Sequence, residues 1–391
     1  MTETVQPATL PRTDPHAPRR ARIALVHDWC CGLRGGERVL DSIVRALSPD
    51  HEIAALFVMF DDGRPLTPAV DSLRRVVSWV GRLPLASTRL RRHLFPLYPA
   101  AVEDLSRRVE TEHAGKPIDI VISTSSAAVK GLRPPRGVPH LCYLHSPARY
   151  VWSLGADYER GSLVRRVGLR LFRERFKRWD AASAANVTCF LANSSHTASE
   201  AQRCYGRGAK VLYPAARTEF YTPGDPSERD DYWLVVAALE PYKRVDLAVR
   251  AANETGKRLV VVGDGTARNE LWAIAGPTVE FAGRIGDGAL REHYRRARLL
   301  LFPQIEDFGI VAVEAQACGC PVVAFRAGGA LNTVSDGVTG VLFTEQSPSA
   351  ILNAAASCPV PEVAACRSWV ERFSESAFAS EFRRHISTML K

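Results

Sequence analysis

Two glutamates eight positions apart, Glu306 and Glu314, are the side chains best placed to do chemistry in this chain. They flank the predicted start of a helix from about Ile310 to Cys318, which follows a short apolar strand at 299–302. The free N–H groups and the dipole of a helix N-terminus favour an anion such as a phosphate. With a phosphate bound at this N-terminus, we expect Glu306 near the group attached to that phosphate and Glu314 near a ribose. The stretch predicts the outline of a nucleotide-sugar site.

Two further groups in the same half of the chain are candidate contacts for an anion. Lys243 and Arg244 open a predicted helix directly after a strand, and Gly263-Asp264 follows the next strand. This glycine stretch, GDGTAR, lacks the third glycine of the dinucleotide fingerprint GxGxxG, which disfavours a nicotinamide cofactor. A nucleotide diphosphate held by Lys243, Arg244 and backbone amides accounts for all of these positions.

The first half of the chain contributes a second set of candidates. Gly35 and Gly36 follow the first predicted strand, and a glycine pair lets backbone approach a ligand closely. His145 and Arg149 lie in a polar loop after a later strand. Ligands of open α/β sheets gather beyond the carboxyl ends of the strands, so we expect these loops to share one rim.

The elements that must position these residues alternate between strand and helix, twice over. A segment rich in proline, glycine and charge, 214–231, separates the two series and indicates a domain boundary. The pattern predicts the α/β class, with two doubly wound domains facing a cleft. Predicted strands lie at 23–26, 53–58, 118–122, 140–144 and 187–192, and then at 233–237, 259–262, 279–282, 299–302 and 322–325.

Composition narrows the class of protein. The chain has 391 residues, of which 46% are hydrophobic, and no apolar run approaches the ~20 residues of a membrane-spanning helix. Residues 1–20 lack the apolar core of a signal peptide, and we expect a disordered tail over 1–21 and a cytoplasmic protein. Nine cysteines without a CxxC pair predict buried thiols rather than disulfides or a metal site.

The net charge of +9 is concentrated in two segments that also carry apolar residues, 82–93 and 160–178. Two interpretations fit these segments equally well. One is an ordinary solvated surface with a buried apolar face, and the other is a surface that binds anionic lipid headgroups or an anionic acceptor. Nucleic acid is the weakest of these readings, because no nucleic-acid-binding motif accompanies the charge.

Six segments in order carry a resemblance to a known family. They are GGERVL, YLHSPARYVW, PYKRVDLAV, VVGDG, EDFGIVAVEAQACGCPVVA and DGVTGVLF. Together they resemble the retaining GT-B glycosyltransferases of family 4, and among them the mannosyltransferases that build bacterial O-antigen and exopolysaccharide. The likeness runs from about Ile23 to the C-terminus. It implies an N-terminal acceptor domain at 22–213, a nucleotide-sugar domain at 214–373 and a C-terminal helix, 374–391, that packs back on the first domain.

The resemblance also implies roles for individual residues. Glu306 is expected at the donor sugar, Glu314 on the ribose hydroxyls, Lys243 on the diphosphate and His145 at the reacting face of the sugar. Arg149 is expected on the acceptor side. The remaining donor contacts expected are Gly35, Gly36, Arg244, Gly263, Asp264, Phe308, Gly309, and the amides of Ile310 and Val311.

Three positions depart from the family pattern. Ala238-Leu239 stands where many relatives have Arg-Leu, which removes one charge from the diphosphate site unless Arg244 replaces it. Asn332 stands where a glutamate is usual, and Arg217 stands where an aspartate is common.

The function implied is transfer of a hexose, specifically mannose from GDP-mannose, to a lipid-linked saccharide at the inner face of the membrane. No Asp-x-Asp motif occurs, so we expect no metal and no other cofactor. Two alternatives stay open at this point. One is another GT-B enzyme, a sugar-nucleotide epimerase or hydrolase, and the other is a catalytically weak or non-catalytic nucleotide-sugar-binding protein.

Overall fold

The computed structural model describes residues 20–88, 90–152 and 163–391. The predicted tail at 1–21 lies outside these residues except for its last two positions, and Arg160 of the second basic segment also lies outside them. Arg89 of the first basic segment lies outside them too, and so do the side chains of Arg92, Tyr150 and residues 163–171.

The first domain is a seven-stranded parallel sheet in the order β3-β2-β1-β4-β5-β6-β7. Its interior strand Arg22–Cys30 is buried along almost its whole length, as expected of a parallel strand covered by helices on both faces. The strands are β1 (Arg22–Cys30), β2 (Glu52–Asp61), β3 (Arg75–Val77), β4 (Ile120–Ser125), β5 (His140–Leu144), β6 (Cys189–Ala192) and β7 (Lys210–Val211). The helices are α1 (Gly35–Leu47), α2 (Pro68–Asp71), α3 (Tyr98–Gly115), α4 (Arg149–Trp152), α5 (Leu163–Ser183) and α6 (Ser195–Tyr205).

The second domain is a six-stranded parallel sheet in the order β10-β9-β8-β11-β12-β13. Its strands are β8 (Trp233–Val236), β9 (Leu259–Val262), β10 (Val279–Gly283), β11 (Leu299–Phe302), β12 (Val322–Phe325) and β13 (Gly340–Phe343). The helices that follow the first domain's six are α7 (Val245–Thr255), α8 (Arg268–Ile274), α9 (Asp287–Arg296), α10 (Ile310–Ala317), α11 (Ala330–Thr333), α12 (Pro348–Ser357), α13 (Val363–Val370) and α14 (Glu375–Met389).

The last helix returns to the first domain. Phe378, Phe382 and Ile386 of α14 are buried in the same apolar cluster as Leu40 of α1. The Arg383 guanidinium adds a hydrogen bond of 2.8 Å to the carbonyl oxygen of Ala46. The two passages of the chain between the domains lie side by side, since the amide of residue 216 donates to the carbonyl of residue 373.

The predicted α/β architecture of two doubly wound domains is confirmed, and so is the return of the last helix. Three strands were missed, namely β3, β7 and β13. The first two are edge strands of three and two residues, too short to show a periodic pattern, and β13 is a four-residue edge strand behind a turn glycine. All nine cysteines are free thiols, as expected.

Candidate active site

Strand order fixes where each half of the site lies. The direction of winding reverses between β1 and β4 in the first sheet, and between β8 and β11 in the second. Loops diverge at such a switch point and leave a crevice beyond the carboxyl ends of the strands. The two crevices face each other and form a cleft of about 520 Å³ lined by both domains.

An ion pair joins Glu306, which lines the wall contributed by the second domain, to Lys243, which is not among the lining residues. The Lys243 amine donates to the Glu306 carboxylate, and Lys243 is only 7% exposed. Lys243 ends the loop after β8 and Glu306 lies in the loop after β11, so the switch point itself brings them together. A buried ammonium next to a carboxylate at the edge of a cleft is suited to exchange that partner for a phosphate oxygen.

The start of α10 lies beside this pair. Gly309 has a φ of +88°, and a Cβ there would come within 2.9 Å of the Phe302 ring, so the tight turn requires glycine. That turn places Phe308, Gly309, Ile310 and Val311 in the lining of the cleft. The predicted use of the first amides of α10 as anion contacts is compatible with this geometry.

Glu314, one turn into α10, lies farther along the cleft and is surrounded by arginines. Its carboxylate accepts a hydrogen bond of 3.2 Å from the Tyr294 hydroxyl. Burial raises the pKa of Glu314 to about 7, and the charges of Arg217 and then Arg38 act against that rise. Both arginines also approach one oxygen of Asp287, at 2.7 Å and 3.5 Å respectively. Arg217, which departs from the family pattern, therefore helps to keep Glu314 ionised.

We expect the substitution Arg217→Met to weaken donor binding at neutral pH. A ribose diol donates two hydrogen bonds, which the ionised carboxylate accepts best, so the donor KM should rise as the pH falls below about 7. Without Arg217 the pKa of Glu314 lies higher, so the rise in KM should begin at a higher pH. The change expected at pH 7 is about 3- to 5-fold, because a pKa displacement of about one unit lowers the ionised fraction of Glu314 from about one half to about one tenth.

The measurement is the donor KM of wild type and variant between pH 6 and 9. Arg250→Met, on the exposed face of α7, is the matched control and should leave the profile unchanged. A profile for Arg217→Met that coincides with wild type would contradict this role.

The wall contributed by the first domain centres on His145, which follows β5. Burial lowers the pKa of His145 to about 3, and the neighbouring His27 and Arg149 lower it further, so the ring is neutral at physiological pH. The ring packs edge-on against Tyr143, with centroids 5.3 Å apart. A Cβ on Gly36 would lie 3.9 Å from Nε2 of His145, which places the predicted glycine loop and the histidine side by side.

Three contacts close the two domains over the cleft. The Arg149 guanidinium pairs with the Asp307 carboxylate, and the Ser194 hydroxyl donates to the carbonyl of Asp307. Asn332 accepts hydrogen bonds from the amide and the hydroxyl of Ser195, at 2.9 Å and 2.7 Å. The asparagine that replaces the usual glutamate therefore joins the domains in this chain.

Besides Lys243, three predicted donor contacts are not among the residues that line the cleft. Gly263 has a φ of +131°, and a Cβ there would lie 1.8 Å from the Ala237 carbonyl, so it serves the packing of two loops. Asp264 binds backbone amides of those loops through its carbonyl and carboxylate oxygens. Arg244 caps α7 with a φ of +52° and pairs with Asp246 at 3.1 Å.

Arg244 instead lines a second pocket of about 500 Å³, together with Tyr242, His196 and Arg203. That pocket shares Arg149 and Asp307 with the main cleft and opens beyond them. In this arrangement Arg244 does not supply the charge that Ala238 removes, and Lys243 is the basic residue beside Glu306.

Sequence reasoning missed several residues of the first-domain wall, notably His27, Glu37, Arg38 and Asn193, all of which line the cleft. His27 could have been found, because it ends the first predicted strand on the same rim as His145. Glu37 lies in the GGERVL segment, where a glutamate in the first turn of a helix indicates helix capping rather than a ligand contact. It does accept a hydrogen bond from the Arg34 amide. Among the described residues, no group of three His, Cys, Asp or Glu side chains is placed to hold a metal ion.

Two family models match the chain. The model of Glycosyltransferase Family 4 matches residues 33–220, and that of Glycosyl transferases group 1 matches residues 218–358. The boundary between the matches falls in the segment predicted to separate the domains.

Curated relatives match shorter stretches. A D-inositol 3-phosphate glycosyltransferase of Acidothermus cellulolyticus is 35% identical over 36% of this chain and 38% of its own length. The enzyme of the same name from Thermobifida fusca is 29% identical over 62% of this chain and 61% of its own length. This chain thus spans about two fifths of the length of the first of these relatives and three fifths of the second.

Solved structures share the fold over nearly the whole chain. Sucrose-phosphate synthase from Thermosynechococcus elongatus superposes with a TM-score of 0.73, at 21% identity, over 95% of this chain and 99% of its own. HepE from Anabaena, in complex with UDP-glucose, superposes with a TM-score of 0.67, at 19% identity, over 94% of this chain and 99% of its own.

Proposed function

Because the chain belongs to the family 4 glycosyltransferases, we propose that it transfers a hexose from a nucleotide sugar to a saccharide with retention of configuration. The observation that carries this proposal is the Lys243–Glu306 pair at the start of α10, opposite the neutral His145 across the cleft. The donor we propose is GDP-mannose and the acceptor a lipid-linked saccharide of a bacterial surface polysaccharide, on the resemblance of the six segments.

The mechanism follows from the charge that develops as the sugar leaves. Cleavage of the sugar–phosphate bond places negative charge on the diphosphate and positive character on the sugar carbon. Lys243, released from Glu306, and the first amides of α10 are placed to stabilise that phosphate, and fixed donors of this kind contribute about 3–4 kcal/mol each in comparable sites. The acceptor hydroxyl attacks from the face that the phosphate leaves, and a phosphate oxygen takes its proton.

Glu306 and His145 orient the sugar in this scheme. In this scheme the Glu306 carboxylate, which pairs with Lys243 in the structure, accepts hydrogen bonds from sugar hydroxyls once Lys243 has turned to the phosphate. His145 is neutral and so contributes a hydrogen bond rather than a charge at the reacting face.

A thermal-shift screen against GDP- and UDP-sugars, followed by turnover with the ligand that binds, tests the proposal. A ligand at 100 times its Kd stabilises the folded state by about 2.7 kcal/mol, so the donor should raise the melting temperature by several degrees. We expect the shift with GDP-mannose. UDP-glucose, which the HepE crystals contain, is the alternative donor. A rise in melting temperature with UDP-glucose and not with GDP-mannose would show that the proposed donor is wrong. Absence of a shift with every nucleotide sugar would contradict the function.

The lipid-linked acceptor has support from an exposed surface of the first domain. Trp79, Leu83, Leu85, Leu90 and Phe172 are each between 37% and 59% exposed, although large apolar side chains usually lie inside. The segments that carry them are adjacent, since the rings of residues 95 and 176 are 6.3 Å apart. The guanidinium of the neighbouring Arg91 lies 5.0 Å from the Trp29 ring, which lines the cleft. An anionic membrane on this surface would present a lipid-linked saccharide to the cleft.

No helix in the described part of the chain is long and apolar enough to cross a bilayer. We propose that the protein attaches to the membrane by the exposed apolar surface of its first domain.

The double variant Leu90→Ser, Phe172→Ser should lose binding to anionic vesicles. Burial of each such side chain contributes up to about 1.5–3 kcal/mol, so partial insertion of two predicts at least a 10-fold weaker partition. The measurement is co-sedimentation with phosphatidylglycerol vesicles at low salt. Trp272→Ser in the second domain, where Trp272 is 61% exposed, is the control and should bind like wild type. Equal binding by the double variant, or none by wild type, would refute the membrane surface.

A further inference from the structure

Four buried polar atoms around Gly36 have no hydrogen-bond partner within the described structure. They are Nε2 of His27, Nε2 of His145, Oε1 of Glu37 and Oδ1 of Asn193. The side chains that carry them all line the cleft, on the wall that the first domain contributes. A buried polar atom without a partner costs about 1–3 kcal/mol, and native proteins rarely keep several together unless a ligand completes them.

The contacts of these side chains show which atoms accept hydrogen bonds. Nδ1 of His27 lies 3.3 Å from the carbonyl oxygen of Thr124 and within hydrogen-bond reach of its hydroxyl. The hydroxyl can donate or accept but the carbonyl can only accept, and donation from Nδ1 to that carbonyl leaves Nε2 with its lone pair. Asn193 donates its amide N–H to the carbonyl of His145 at 2.9 Å, which leaves Oδ1 as an acceptor. Glu37 uses Oε2 to accept from the Arg34 amide, and Oε1 remains.

A cluster of acceptors beside a carboxylate selects the chemistry of its ligand. Hydroxyl groups can donate hydrogen bonds to these acceptor atoms. A phosphate adds only further acceptor atoms and a negative charge, which the carboxylate repels. Of the first-domain arginines that line the cleft, three are paired with a carboxylate and Arg34 is the remaining cation; the paired ones are Arg38, Arg45 and Arg149. The cluster therefore favours an uncharged polyhydroxyl ring over a phosphorylated one.

We propose that His27, Glu37 and Asn193 bind the hydroxyl groups of the acceptor, and that the ring which receives the hexose is an uncharged sugar. This inference rests on the proposed function and adds the chemical class of its acceptor. The cluster belongs wholly to the first domain, opposite the Lys243–Glu306 pair that we assign to the donor. Attack from the face that the phosphate leaves requires the reacting hydroxyl to lie beside the phosphate, so an acceptor bound to the cluster must extend that hydroxyl across the cleft.

Two substitutions change the polarity of the cluster and little else. Glu37→Gln keeps the shape and an oxygen for the Arg34 amide, but turns an NH₂ group toward the cleft in place of Oε1. His27→Asn keeps a donor toward Thr124 and removes Nε2. Loss of one such hydrogen bond predicts an acceptor KM raised about 10-fold or more. The donor KM and the rate of donor hydrolysis in water should change less than about 2-fold, a contrast that damage to the fold would not produce.

The probes are the methyl glycosides of mannose, glucose and galactose, set against glucose 6-phosphate and D-inositol 3-phosphate. Saturation-transfer NMR without any donor measures their binding to wild type, to both variants and to Glu254→Gln, a matched control on the outer face of α7. We expect at least one neutral glycoside to bind wild type and the control, to lose binding in both variants, and to outcompete the phosphorylated compounds.

Several results would overturn the inference: binding of no neutral glycoside, preference for a phosphorylated polyol, or glycoside binding unchanged in both variants. A donor KM that rises together with the acceptor KM would assign the cluster to the donor sugar and also overturn it. Failure of the proposed function is recognised separately, because then no nucleotide sugar binds or is turned over, while the NMR result still decides the hydroxyl site.

Discussion

Lys243→Met is expected to lower kcat about 100- to 1000-fold. The variant removes the cation that stabilises the departing diphosphate while keeping the length and apolar stem of the side chain. Removal of one fixed donor at the site of developing charge typically costs about 2.7–4 kcal/mol of transition-state stabilisation. The loss should be large here, because Ala238 has already removed one charge and Arg244 is turned toward Asp246 and the second pocket.

The neighbouring Arg244→Met supplies the control. It removes the same charge one residue away, from a side chain that pairs with Asp246 and lines the second pocket, and should change kcat less than about 3-fold. Steady-state kinetics with saturating donor compare the two variants. Equal losses would show that both cations act on the diphosphate, so that Arg244 does compensate for Ala238. Full turnover by Lys243→Met would contradict the mechanism itself.

Lys130→Met is expected to destabilise the first domain by about 3–5 kcal/mol, the usual consequence of leaving one member of a buried ion pair alone. Lys130 is 1% exposed and lies 2.9 Å from the Asp180 carboxylate, which is 0% exposed. The second oxygen of that carboxylate accepts from the Trp152 indole at 2.7 Å and the Tyr205 hydroxyl at 3.0 Å. Without Lys130 these neutral donors face an uncompensated buried charge.

Thermal unfolding measures the loss, which corresponds to a fall of roughly 6–20 °C in the melting temperature for a domain of this size. The double variant Lys130→Met, Asp180→Asn should recover part of it, because asparagine can still accept from Trp152 and Tyr205 without a net charge. Lys116→Met is the control, since Lys116 pairs with Glu52 at the surface, where such pairs contribute about 0–1 kcal/mol. A loss for Lys130→Met no larger than for Lys116→Met would refute the account.

The two buried charges illustrate what sequence periodicity cannot assign. Lys130 and Asp180 are fifty positions apart, in a short turn after β4 and near the end of α5, and neither stands in a pattern that distinguishes it from a surface residue. The opposite holds for Lys243 and Glu306, because loops that follow strands on either side of a predicted switch point can be expected to meet.

By itself the sequence determined the α/β class, the two domains, the helix that starts at Ile310 and carries Glu314, and the loops that carry Glu306, Lys243 and His145. Apolar strands, breaker residues and glycine turns are local features, and the parallel topology then brings their ends to one rim. The tertiary structure alone decided which side chains on that rim face the cleft. Arg244 and Asp264 turn to partners outside its lining, whereas Arg217 turns toward Glu314. The direction of these side chains depends on backbone dihedrals and on charged residues distant in the chain, and local composition indicates neither of them.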